Sequence, residues 1–242
     1  MAIFTQRDLL ISIGGGCMTE FQLRNFASDK NLLVMSLPLD WTLSTFQGSI
    51  AYTYSVLFCS SSLQYSLNWE HGMPSFDGRD GVFLWHLPKQ VGLKDEFTSS
   101  HDLLRKNYFH YDGRIRLRYE HLDRKFKHLI LSERFTRLIF SYCQPNYIAA
   151  FRAFTNYSCA PSLHSMPLAY RQLIAISEIV DEVIILCPRD SIFSEEASKM
   201  EDIATIIWTD HAMFCDKQDM SLEINYKGEK GWIENVIPRF LV

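Results

Sequence analysis

Leu9-Leu10-Ile11-Ser12-Ile13-Gly14-Gly15-Gly16-Cys17-Met18-Thr19-Glu20-Phe21-Gln22-Leu23-Arg24-Asn25-Phe26 changes its hydrophobic pattern halfway along. Leu9 to Ile13 is a short β-favouring apolar run, three glycines follow, and Phe21, Leu23 and Phe26 then recur about a turn apart. The stretch therefore reads as a strand, a tight turn and the start of a helix. Glycine tolerates positive φ and close approach, so Gly14, Gly15 and Gly16 can present backbone N–H groups at the helix mouth. Cys17 falls where those donors and the positive end of the helix dipole converge, and both favour a thiolate. The same geometry suits a phosphate. A buried cysteine also serves as a small core hydrophobe, and glycine turns occur without chemistry, so the local residues leave all three roles open.

Outward from this stretch, nearly continuous apolar runs alternate with helical patterns. Strands are expected over Leu32–Leu37, Val82–His86, Arg137–Cys143, Glu182–Cys187 and Ile203–Thr209. Helices are expected over Thr42–Leu57, with Leu43, Phe46, Ile50, Tyr54 and Leu57 inward, and over Arg114–Ser132, Leu163–Val180 and Trp232–Phe240. Strands buried on both faces and separated by helices imply an α/β fold: a mostly parallel sheet covered by helices on both faces, three layers in all. The 242 residues suit one large domain or two small ones, and the pattern is taken as a single α/β domain over 1–242. A loop-rich insertion is expected around residues 59–112, where Ser60-Ser61-Ser62, Gly72, Pro74, Asp77-Gly78 and Asp80-Gly81 cluster and Lys89 to Tyr111 carries little pattern.

Composition narrows the class. Hydrophobic residues make up 47% and charged ones 21%, enough for an ordinary core. With 17 Phe, 11 Tyr and 5 Trp the chain is too aromatic for disorder. A net charge of −4 gives no general pull toward nucleic acid or anionic membrane. The amino-terminal residues lack a signal-peptide pattern and no run approaches a membrane span, so a cytoplasmic location is expected. The six cysteines, at 17, 59, 143, 159, 187 and 215, form no Cys-x-x-Cys pair. That argues against a disulfide scaffold and a zinc ribbon. No metal site and no cofactor are expected; Gly14-Gly15-Gly16 lacks the spacing of a dinucleotide fingerprint, and no Walker A sequence occurs.

Ligands of such sheets sit beyond the carboxyl ends of the strands, where Cys17, His86, Cys143 and Asp210-His211 would lie if the strands run parallel. Asp40 stands just before a helical pattern, where a cap is the default role. The charges Arg114, Arg116, Arg118, Arg124 and Lys125 read as a solvated helix face and point only secondarily to an anionic partner.

Ser12-Ile13-Gly14-Gly15-Gly16-Cys17 followed by Pro38-Leu39-Asp40-Trp41 resembles a bacterial family of uncharacterised proteins catalogued as papain-like cysteine peptidases. Its members open on a Ser-Leu-Gly-x-x-Cys turn and carry Pro-Phe-Asp-Trp some twenty residues later. Trp85-His86, the arginine-rich helix and Leu138–Cys143 take the places of that family's aromatic strand with histidine, arginine helix and hydrophobic strand, so the likeness spans roughly residues 8 to 145. Leu39, Leu87 and Leu122-Asp123 depart from the family pattern. A papain-like fold faces its cysteine helix with a mostly antiparallel sheet, so the fold is read from periodicity and the site from the motif.

The resemblance implies a cysteine-dependent hydrolase or acyltransferase: Cys17 as nucleophile, His86 as base, Asp40 orienting the imidazole, and the Gly14–Gly16 turn holding the oxyanion. A small-molecule, peptide or acylated substrate is then expected. A variant draws the base from Asp210-His211. The alternative is a non-hydrolytic nucleotide or sugar-phosphate binding or transferase domain, with Gly14, Gly15 and Gly16 as its anion site. A structural or interaction protein without a reaction is the third class.

Overall fold

The computed structural model describes residues 2–4, 8–13, 24, 27, 33–40, 42–59, 63–69, 71–93, 97–132, 135–141, 166–189 and 194–209. Its elements are β1 (Ala2–Phe4), β2 (Asp8–Ile13), β3 (Leu33–Met35), β4 (Leu43–Ser44), α1 (Phe46–Phe58), β5 (Leu67–Asn68), β6 (Ser75–Phe76) and β7 (Val82–Phe83). There follow α2 (Leu87–Gln90), α3 (Phe97–Lys106), α4 (Tyr108–Ile130), β8 (Phe135–Ser141), α5 (Met166–Ser177), β9 (Glu182–Pro188), α6 (Ser194–Ser198) and β10 (Thr205–Thr209).

Six strands form one sheet in the order β10-β9-β8-β2-β1-β3. The four from β10 to β2 are parallel, whereas β1 runs antiparallel to both β2 and β3. The fold is therefore α/β with a parallel centre. Register explains which residues share a face: Ile11 pairs with Leu138, Leu138 with Val183, Phe140 with Ile185 and Ile185 with Ile206. Because strand side chains alternate, Leu9, Ile11, Ile13, Leu138, Phe140, Val183, Ile185 and Cys187 point the same way. They form one core with Phe46, Ile50 and Val56 of α1, Ala169, Leu173 and Ile176 of α5, Ala197 of α6, and Phe126 and Ile130 of α4. Each fully buried aliphatic or aromatic side chain here contributes about 1.5–3 kcal/mol. Leu10, Ile139, Ile184 and Leu186 alternate onto the opposite face and are buried as well, as a parallel sheet requires.

A second core joins Leu67, Phe76, Leu84, Leu87, Val91, Leu104, Ile115, Tyr119 and Leu122. It lies largely within the segment expected to be a loop-rich insertion. Short elements (β5, β6, β7, α2, α3 and the first residues of α4) alternate there with turns, and Met73, Phe76, Phe83 and Leu84 are buried. The strands between these turns are two residues long, too short to display a period in the sequence. α4 belongs to both cores, contributing Ile115, Tyr119 and Leu122 to one and Phe126 and Ile130 to the other.

Where the cores meet, Arg79 and Asp123 form a buried ion pair, Nη1 to Oδ2 at 3.2 Å. Tyr52 and Tyr65 donate to the two oxygens of the same carboxylate at 2.7 and 2.8 Å. The guanidinium lies 4.7 Å from the ring centroids of Tyr52 and Tyr65 and 4.9 Å from that of Phe76. Burial pushes the Asp123 carboxyl up, opposed by Arg79 and both tyrosine hydroxyls. The buried acid that follows Leu122 is thus served by a local cation.

Several boundaries move. The helix expected from Thr42 begins at Phe46, because Thr45 caps it by accepting from the Gly48 N–H. α4 starts at Tyr108, well before Arg114, and β1 went unforeseen. The expected helix over 232–240 lies outside the described residues.

Candidate functional site

A cavity of about 250 Å³ opens beside β3, lined by Ser36, Leu37, Pro38, Asp40, His86, Lys89, Gln90, Arg118, Tyr119 and Leu122. It brings together Asp40 and His86, two of the residues expected to act. Cys17, Gly14, Gly15, Gly16, Cys143 and Asp210-His211 lie outside the described residues.

The position of the cavity follows from register. Ile11 and Met35 both pair with Ala2, so β2 and β3 run in the same direction with those residues level. Ile13 and Leu37, each two residues further on, leave the same end of the sheet. Two strand spacings separate them, about 10 Å. The cavity therefore sits beyond the carboxyl ends of the strands, where open α/β sheets bind ligands.

Asp40 does not cap a helix. Its Oδ2 accepts the Leu37 N–H at 2.8 Å, and its own N–H donates to the Leu37 carbonyl at 3.2 Å. This closes the turn after β3 and buries Asp40 to 6% exposure. Arg24 approaches the same oxygen, Nη2 at 3.9 Å. His86 is half-buried at the junction of β7 and α2. Its carbonyl accepts the Gln90 N–H at 3.1 Å, and Pro88 fits the first turn of α2, where a missing donor costs nothing. The imidazole makes no capping hydrogen bond to that helix.

The remaining wall comes from α2 and α4. Tyr119 is buried, and its hydroxyl donates to Gln90 Oε1 at 3.3 Å. Burial holds the Tyr119 phenol protonated far above its ordinary range. Lys89 and Arg118 supply positive charge against the single carboxylate of Asp40, so the lining is cationic although the chain is acidic overall. Sequence reasoning set Lys89 in a patternless stretch and Arg118 on a solvated face; both residues are exposed and also line the cavity. The available signal was spacing: Arg118 adjoins Tyr119 and stands four residues before Leu122, at the border of the apolar stripe of α4.

Among the described residues no group of three or more His, Cys, Asp and Glu is arranged to hold a metal ion, and no helix is long and apolar enough to cross a membrane. Fold and cavity together define an α/β protein with a cleft at the carboxyl end of its sheet whose charged lining residues are mainly cationic. The chain matches no protein-family model, no curated protein and no solved structure.

Proposed function

We propose that the protein is a cysteine-dependent hydrolase or acyltransferase acting on an amide or ester, with Cys17 as nucleophile. One observation carries this reading: Asp40 and His86, the expected orienting acid and base, line the same cavity. Reach supports it. Cys17 follows Ile13 by four residues, and four residues of chain span at most roughly 14 Å. That exceeds the spacing of about 10 Å between the β2 and β3 exits. Downstream, Arg24, seven residues after Cys17 in the chain, approaches Asp40 Oδ2 at 3.9 Å. The quoted cysteine and aspartate motifs add to this.

In the proposed reaction His86 takes the thiol proton and the thiolate attacks the carbonyl carbon. Backbone N–H groups of the Gly14–Cys17 turn hold the oxyanion. Collapse of the tetrahedral intermediate expels the amine or alcohol, which receives the proton from His86 and leaves an acyl-thioester. Water, or an acceptor in transfer, then releases the acyl group and regenerates the thiol. Asp40 orients the imidazole throughout.

The cationic lining also favours a second reading, a phosphate-ligand domain in which the thiol is incidental. Cys17→Ala separates the two. Assayed against p-nitrophenyl esters and aminocoumarin amides, the variant is expected to lose all turnover that the wild type shows. Turnover unchanged by the substitution would overturn the thiol mechanism.

A further inference from the structure

Three basic side chains project from one side of α4. Arg114, Arg118 and Lys125 follow the spacing i, i+4 and i+11, which places them within about 40° of one another around a helix. The outer two are engaged by backbone carbonyls at either flank of the cavity: Arg114 Nη1 donates to the Val91 carbonyl at 3.4 Å, and Lys125 Nζ to the Ser36 carbonyl at 3.1 Å. Arg118, between them, lines the cavity, and no acceptor among the described residues hydrogen-bonds to its guanidinium. Lys89 lines the cavity from α2, across from α4. The one carboxylate in the lining, Asp40, is occupied by the Leu37 N–H and has Arg24 beside it.

We propose that the ligand of this cavity carries a compact oxyanion, a carboxylate or a phosphate, gripped by the guanidinium fork of Arg118 with Lys89 alongside. A planar fork of N–H donors pairs two oxygens at once, which an ammonium cannot do, so Arg118 fixes orientation while Lys89 adds charge. A volume of about 250 Å³ accommodates such a group and the few atoms linking it to a reacting centre beside His86. The inference rests on the thiol reading only in calling this ligand a substrate.

Binding is read without the thiol. Succinate and inorganic phosphate are titrated, at fixed pH and at ionic strength held constant with chloride, against the Cys17→Ala protein, following the imidazole resonances of His86 by NMR. At least one of the anions is expected to move these resonances saturably. Adding Arg118→Gln should weaken that binding about tenfold or more, and adding Lys89→Gln by less, as expected for a bidentate against a point-charge contact. Saturation by succinate alone identifies a carboxylate ligand, and tighter binding of phosphate identifies a phosphate. Resonances that neither anion moves, or titration midpoints left unchanged by Arg118→Gln and by Lys89→Gln, would overturn the inference. Such a failure leaves the thiol reaction intact, and an inert Cys17 with intact anion binding removes only the thiol reaction.

Discussion

Asp40 and His86 face one cavity although they belong to different parts of the fold, one on the turn that follows β3 and the other at the mouth of α2. Asp40 has two duties there. It closes its own turn by accepting the Leu37 N–H, and in the proposed mechanism it orients an imidazole. Two substitutions separate these duties. Asp40→Ala strands the buried Leu37 N–H and is expected to cost about 1–3 kcal/mol in urea denaturation. Asp40→Asn keeps an acceptor oxygen and should cost less than Asp40→Ala, yet both should slow alkylation of Cys17 at neutral pH. Equal destabilisation by both variants would show that the charge, and not the turn, is what the fold requires.

The Arg79–Asp123 pair predicts a strong coupling. Asp123→Leu leaves a guanidinium buried without its carboxylate, and removal of one member of a buried pair costs about 3–5 kcal/mol. Arg79→Met with Asp123→Leu removes both charges, so the double variant should be less destabilised than the summed single variants, by about 0.5–3 kcal/mol. Urea midpoints of the four proteins measure this; strict additivity would contradict the pair's role.

Backbone geometry gives a prediction of opposite signs at two glycines. Gly81 has φ +78°, and a Cβ there would sit 2.5 Å from Thr45 Oγ1, the group that caps α1. Gly81→Ala is expected to destabilise by about 1–3 kcal/mol from the left-handed backbone alone, with the disturbed cap in addition. Gly113 lies inside α4 with open space where its Cβ would be, so Gly113→Ala should stabilise by about 0.5–1 kcal/mol. Thermal unfolding of the two variants decides it.

Alkaline pH should unfold the protein through its tyrosines. Burial, and then the hydrogen bond to Asp112, push the Tyr108 phenol up to about 12; Tyr52, Tyr65 and Tyr119 are raised as well, chiefly by burial. The fold favours the protonated phenol in each case. The stability this gives is fully present below the ordinary value of about 10 and is lost as pH climbs through the folded value, for Tyr108 between about pH 10 and 12. Phenolate absorbance should therefore rise together with loss of structure, and Tyr108→Phe should soften the decline in that window.

Much of the frame was legible because long apolar strands display their own burial. Asp8–Ile13, Phe135–Ser141 and Glu182–Pro188 were found within two residues at each end, and their parallel pairing followed from the helices between them. β1 was missed because three residues carry no period, and it matters: it inserts antiparallel between β2 and β3 and so spaces the two strand ends beside the cavity. Asp40 was singled out by a motif and His86 as the end of a strand expected over Val82–His86, which in the structure stops at Phe83 and leaves His86 just before α2. Lys89, Gln90, Arg118 and Tyr119 were not singled out for the site, because they come from two helices that meet only in the folded chain.

The central claim is that Cys17 is a thiolate nucleophile served by His86, and the pH dependence of its alkylation tests it most directly. Iodoacetamide labelling of Cys17 is followed by peptide mass spectrometry across pH in the wild type and in His86→Ala. The expected wild-type midpoint lies well below the roughly 8.5 of a free thiol, and the low-pH reactivity disappears without the imidazole. A midpoint near 8.5 in both proteins would contradict the claim.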